Sequence, residues 1–148
     1  MTEPNGVEIL LVEDNPRDAE LAIRALKKHN LADNLVHVKD GQEALDWLFA
    51  EARHAGRAAE QRPKVVLLDI KLPKRNGLEV LAAIRTHPRT QHLPVVMLTS
   101  SSEDQDILKA YANGSNSYIV KPVEFEKFSR TLGEAARYWL HLNQSPGT

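Results

Sequence analysis

The chain has 148 residues, 42% of them apolar and 26% charged, with a formal net charge of -1. A chain of this length forms one globular domain that buries roughly 68–70% of its unfolded surface, and a second effector domain is not expected beside it. The near-neutral charge leaves no electrostatic footprint for nucleic acid, and the absence of cysteine excludes disulfides, thiolate metal sites and a cysteine nucleophile.

The first apolar stretch, 7–12, is interrupted by Glu8 and has no basic lead-in. It reads as a buried strand, not a signal peptide or a membrane span, and a cytoplasmic location is expected. Asn15 and Pro16 then give a helix start, as N-cap and first helical residue. Ala19, Ala22, Ile23 and Leu26 recur at the spacing of one helix face, which Asn30 closes. A short strand over 35–38 follows, and Asp40 with Glu43 suits a capping box for a helix carrying Leu45, Leu48 and Phe49.

Residues 50–63 shift to Ala, Arg, Glu and Gln and predict a frayed helix extension and a loop inserted into the domain. A third strand runs 65–69, and Asn76-Gly77 suits a turn with positive φ before a helix with Leu78, Leu81 and Ile84 on its inner face. The fourth strand ends at Thr99, and Ser102 with Gln105 forms a possible capping box for a helix containing Ile107, Leu108 and Tyr111. Asn113-Gly114 stops that helix, a fifth strand runs 117–120, and Phe125, Phe128, Leu132, Ala135, Ala136 and Trp139 trace the last helix. Strands alternating with helices predict an α/β domain over 7–142, a doubly wound five-stranded parallel sheet with five helices, between flexible ends at 1–6 and 143–148.

Parallel order brings the strand ends into one crevice, where Glu13, Asp14, Asp69, Thr99 and Lys121 meet. Two carboxylates 4 Å apart repel by about 4 kcal/mol at an effective dielectric of 20, so this cluster calls for a cation. Mg²⁺ suits it, being hard and oxygen-seeking. A carboxylate also serves as nucleophile toward an activated phosphoryl group, whose charge a metal and a lysine stabilise. Asp69 takes this role because Glu13 and Asp14 sit together on another strand, and Thr99 is placed to sense the product.

The ordered set resembles the receiver domain of two-component response regulators, in which an acidic pair, an acceptor aspartate, Thr or Ser, and Lys-Pro follow the first, third, fourth and fifth strands. Here these are Glu13-Asp14, Asp69, Thr99 and Lys121-Pro122. The resemblance implies a flavodoxin-like fold. It also implies direct Mg²⁺ ligation by Asp14 and Asp69, a water-mediated role for Glu13, and a ligand from the Lys71 carbonyl. Tyr118 would be the switch aromatic, and the Lys121-Pro122 bond would be cis.

The donor to Asp69 would be a sensor histidine kinase or a histidine phosphotransfer protein, and the chain a phosphoacceptor signalling protein rather than an enzyme acting on free substrates. The long 50–63 segment and the aromatic end of the last helix resemble the small stand-alone regulators paired with bacterial phytochromes, which implies a bacteriophytochrome kinase and a homodimer through the C-terminal helix region. Trp139 folding back onto its own core is the alternative to that dimer.

Three other readings compete. An aspartyl-phosphate hydrolase would carry a second Asp two residues after the nucleophile, where this chain has Lys71. A flavodoxin-like cofactor binder would need a phosphate-binding loop where Glu13 and Asp14 stand. The third is a docking receiver that is never phosphorylated. The histidines at 29, 37, 54, 87, 92 and 141 show no paired metal-ligand spacing and read as surface or hydrogen-bonded residues, and Trp47 as a packing residue.

Overall fold

A computed structural model describes residues 7–50, 62–100, 102–121, 124–144 and 146. Five strands, β1 (Ile9–Val12), β2 (Leu35–Val38), β3 (Val65–Leu68), β4 (Val95–Thr99) and β5 (Ser117–Val120), alternate with α1 (Pro16–Lys28), α2 (Gly41–Leu48), α3 (Gly77–Thr86), α4 (Asp104–Ala112) and α5 (Phe125–Arg137). All pairings are parallel, in the order β2-β1-β3-β4-β5. This is the doubly wound sheet that the strand–helix alternation predicts.

The three central strands are buried along their whole length because both faces of the sheet are covered. Successive side chains go to opposite faces. Leu10, Val12, Val66, Leu68, Val95 and Met97 meet Leu45 and Trp47 of α2 and Val80, Leu81 and Ile84 of α3. Ile9, Leu11, Val65, Leu67, Val96 and Leu98 meet the alanines and Leu26 of α1 and Phe128, Leu132 and Ala136 of α5.

Local signals explain most helix ends. Asn15 Oδ1 accepts from the Arg17 and Asp18 amides at 2.9 and 3.2 Å, and Asn30 takes a φ of 59° just past the end of α1. Asp40 Oδ1 accepts from the Glu43 amide at 2.7 Å, while the Glu43 carboxylate reaches back to Lys39 N, one residue beyond the box partner expected. Gly114 has a φ of +97° beyond α4, as the Asn113-Gly114 stop predicts.

Two local expectations are corrected. Asn76 is not in a positive-φ turn: it caps α3 in a reciprocal box with Glu79 at 3.0 and 3.2 Å, and the positive φ falls on Lys74. Gly77 is required instead by close approach, since a Cβ there would strike the backbone of Asp69 and Ile70. The N-cap of α4 is Glu103 without a side-chain cap bond, so Ser102 and Gln105 form no box. On α4, Leu108 and Tyr111 are 70% and 50% exposed, and only Ala110 is buried.

α2 ends at Leu48 with Phe49 as its C-cap, and Ala50 follows in left-handed backbone. The expected 50–63 insertion falls mostly outside the described residues, as do residues 1–6 and part of 143–148, the ends expected to be flexible. At the other end α5 widens into a π-helical turn, Tyr138–Leu142, with Leu140 buried. Trp139 is half-buried against the α1–α5 side of the core, whereas Tyr138 and Leu142 are exposed.

Candidate functional site

The strand order reverses at β1 and β3, and the crevice beyond their C-terminal ends is where an open α/β sheet binds its ligand. Val12 and Leu68 are in register, so the next residue on each strand, Glu13 and Asp69, emerges at the same level. The Asp69 amide donates to the Val12 carbonyl at 3.2 Å, which ties the two strand ends together. Pro16 and the Asn15 cap turn the chain into α1 directly after Asp14.

Glu13, Asp14 and Asp69 each bring a carboxylate oxygen within 4.8 Å of the others. Glu13 and Asp69 are buried and Asp14 is exposed. The Lys121 ammonium sits beside this group, donating to Glu13 Oε1 at 2.5 Å, Asp18 Oδ2 at 3.2 Å and Asp69 Oδ2 at 3.4 Å. Asp69 Oδ1 accepts from the Ile70 amide at 2.7 Å, which fixes the carboxylate and leaves Oδ2 toward the lysine. Both oxygens of Glu13 are engaged, since Oε2 accepts from the Asn15 amide at 3.2 Å.

Burial pushes the Glu13 carboxyl up from 4.5 to about 7, against the downward pull of the Lys121 ammonium. Burial also works to lower Lys121, but its hydrogen bond to Glu13 and the charges of Asp69, Glu13 and Asp18 outweigh this and hold it above its ordinary value. The lysine is therefore a fixed cation, and the acids around it exceed the charge it supplies.

Thr99 is buried at the end of β4, and Tyr118, in register with Met97, is half-buried against the face covered by α2 and α3. Lys71 is exposed two residues past Asp69. Pro122, and with it the bond expected to be cis, lies outside the described residues. Asp14 also borders an open cleft of ≈ 470 Å³ whose lining includes Ile23, Arg24, Lys27, His37 and Lys39, but Glu13, Asp69 and Lys121 take no part in it.

Two contacts escape the sequence reading. Asp18 reaches Lys121 from the first turn of α1, and its position four residues after Asp14 on a helix starting at the crevice was the available signal. His37 on β2 is half-buried, and its Nε2 donates to the Glu13 carbonyl oxygen at 2.8 Å, so it braces the acidic strand end. No spacing between positions 13 and 37 signals that contact.

Residues 9–132 match the response regulator receiver domain. The chain belongs to that family. Among relatives of this receiver domain, the probable methanogenesis regulatory protein FilR2 of Methanothrix harundinacea is 44% identical over 94% of this chain and 87% of its own length. The phosphorylated cyanobacterial phytochrome response regulator RcpA superposes with a TM-score of 0.86 at 34% identity, covering 96% of this chain and 99% of that one. The Mn²⁺-bound form of response regulator Rcp1, a protein of Synechocystis, superposes with a TM-score of 0.83 at 32% identity, covering 94% of this receiver domain and 98% of its own chain.

Three oxygen-donor carboxylates, two buried and one exposed, brought within 4.8 Å of one another fit a small hard divalent cation. Among the described residues no helix is long and apolar enough to cross a membrane.

Proposed function

We propose that this receiver domain accepts a phosphoryl group on Asp69 from a sensor histidine kinase or a histidine phosphotransfer protein, with Mg²⁺ bound, in the cytoplasm. The observation that carries the reading is the Lys121 ammonium placed against Asp69 Oδ2 beside the acidic cluster. An oxygen of Asp69 forms the new O–P bond while the P–N bond to the donor imidazole breaks. The electron pair stays on the imidazole nitrogen, which takes up a proton from solvent.

Asp14, Asp69 and the Lys71 carbonyl would hold Mg²⁺ directly. Glu13 would act through water, in keeping with the engagement of both its oxygens. Bound Mg²⁺ offsets the negative charge on the phosphoryl oxygens. Lys121 donates to a phosphoryl oxygen, and the Ile70 amide orients the nucleophile by holding Asp69 Oδ1.

The product adds about -1.5 to -2 charge, by analogy with other side-chain phosphates. Thr99 moves toward the phosphoryl group and Tyr118 turns inward, which shifts the population between two packings of β4, α4 and β5. A full reversal from 1:99 needs about 5.5 kcal/mol of differential stabilisation. RcpA is described as a phytochrome response regulator, which makes a phytochrome-type kinase the first donor to test. Exposed Tyr138 and Leu142 are the residues around which a homodimer would form.

Mg²⁺-dependent labelling by acetyl phosphate or a purified kinase tests the acceptor. Asp69→Asn is expected to reduce labelling to background, and equal labelling of the variant removes Asp69 from its role. Sedimentation at micromolar concentration tests the dimer, which a monomer both with and without a phosphoryl analogue would eliminate.

A further inference from the structure

Lys121 carries a contact that the phosphoryl chemistry does not require. An ammonium has three N–H donors, and here three carboxylates compete for them: Glu13 at 2.5 Å, Asp18 at 3.2 Å and Asp69 at 3.4 Å. No donor is left over for a phosphoryl oxygen. One of the three contacts has to weaken when such an oxygen arrives.

The three differ in what release costs. Glu13 has a side chain only 3% exposed, so withdrawing the lysine strands a buried carboxylate. Asp69 carries the reaction itself and stays beside the incoming group. Asp18 has a side chain 35% exposed, so water replaces the ammonium there at little cost. Its amide is held by the Asn15 cap, which fixes the Asp18 backbone in the first turn of α1 with or without the lysine.

We propose that Asp18 is a positioning residue that holds the Lys121 ammonium partly off the phosphoryl position and competes with the phosphoryl group for it. The proposal rests on the phosphoacceptor reading and deepens it. Asp18 thereby weakens retention of a phosphoryl group while adding negative charge that favours the metal. The ordinary role of an acid in the first turn of a helix is stabilisation through the helix dipole, which changes neither affinity in this pattern.

The test is calorimetric titration of wild type, Asp18→Asn, Asp18→Ala and Glu20→Gln, first with Mg²⁺ alone and then with beryllofluoride at saturating Mg²⁺. Both Asp18 variants are expected to bind beryllofluoride about two- to fivefold more tightly and Mg²⁺ alone more weakly, an opposition of sign that lost stability does not produce. Glu20→Gln removes a charge from the same end of α1 without touching the lysine, and it is expected to leave beryllofluoride affinity unchanged. Asp18 variants equal to wild type, or losing both affinities together, overturn this proposal alone, as does an equal gain from Glu20→Gln. A wild-type chain that takes up no beryllofluoride with Mg²⁺ overturns the phosphoacceptor reading, and this proposal with it.

Discussion

The crevice over β1 and β3 and the edge formed by α4 and β5 place polar and apolar groups in opposite ways. At the crevice, Glu13 and Asp69 are buried and satisfied by Lys121 and by backbone amides. At the α4–β5 edge, Leu108, Tyr111 and Val120 are exposed, and α4 buries a single alanine where α1 buries Ala19, Ala22, Ala25 and Leu26. A reaction centre needs groups fixed by rigid strand ends. An element that changes packing needs little buried area to give up. The contrast fits the proposed division of labour between an acceptor site and a switching surface.

The largest expected effect that probes this contrast comes from paired leucine truncations. Leu81→Ala, in the fully buried face of α3, is expected to cost about 2–5 kcal/mol in urea denaturation. Leu108→Ala is expected to stay within about 0.5 kcal/mol of wild type. Similar costs for the two would erase the distinction between core and edge.

Gly77→Ala probes the rigidity of the crevice side. Its Cβ would meet the backbone of Asp69 and Ile70, which cannot rotate away as a side chain does. A loss of about 1–3 kcal/mol is expected, together with weaker Mg²⁺ binding in calorimetry. Unchanged stability and metal affinity would show that the loop after β3 yields freely.

A smaller effect is expected from pH in the metal-free protein. The folded value of Glu13, about 7, lies above its ordinary 4.5, so the native state holds this proton more tightly than the unfolded chain. The associated stabilisation is complete below about pH 4.5 and is lost as pH rises through about 7. The unfolding midpoint in EDTA is therefore expected to fall across that window, less so in Glu13→Gln. Mg²⁺ opposes the fall because it binds the native state. A flat profile for the wild type would mean that burial does not dominate at Glu13.

The sheet and the helix on each crossover were legible in the sequence because their causes are local. Short apolar runs flanked by caps and turn residues specify strands and helix starts at Asn15 and Asp40 and the stop at Gly114. The cap of α3 was misjudged because Asn-Gly suits both a turn and an N-cap, and the choice depends on the Asp69 backbone passing close to Gly77. Periodicity did not reveal which side of α4 faces water, since an apolar residue at helical spacing marks a face but not its covering.

The sequence alone determined the order of the elements and the placing of Glu13, Asp14, Asp69, Thr99 and Lys121 at strand ends, because hydrophobic period and strand termination are written in neighbouring residues. Only the tertiary structure decided how these groups are partnered. Lys121 meets Asp18 across 103 residues of chain, and His37 meets the Glu13 carbonyl across 24. Arg85 is bonded to the carbonyls of Leu93 and Gly114 at 2.6 and 2.9 Å and to the Asn116 side chain at 2.7 Å, joining α3 to the loops before β4 and β5. Such contacts depend on the path of the backbone through space, and burial then sets the protonation of a group such as Glu13, whose sequence neighbours carry no sign of it.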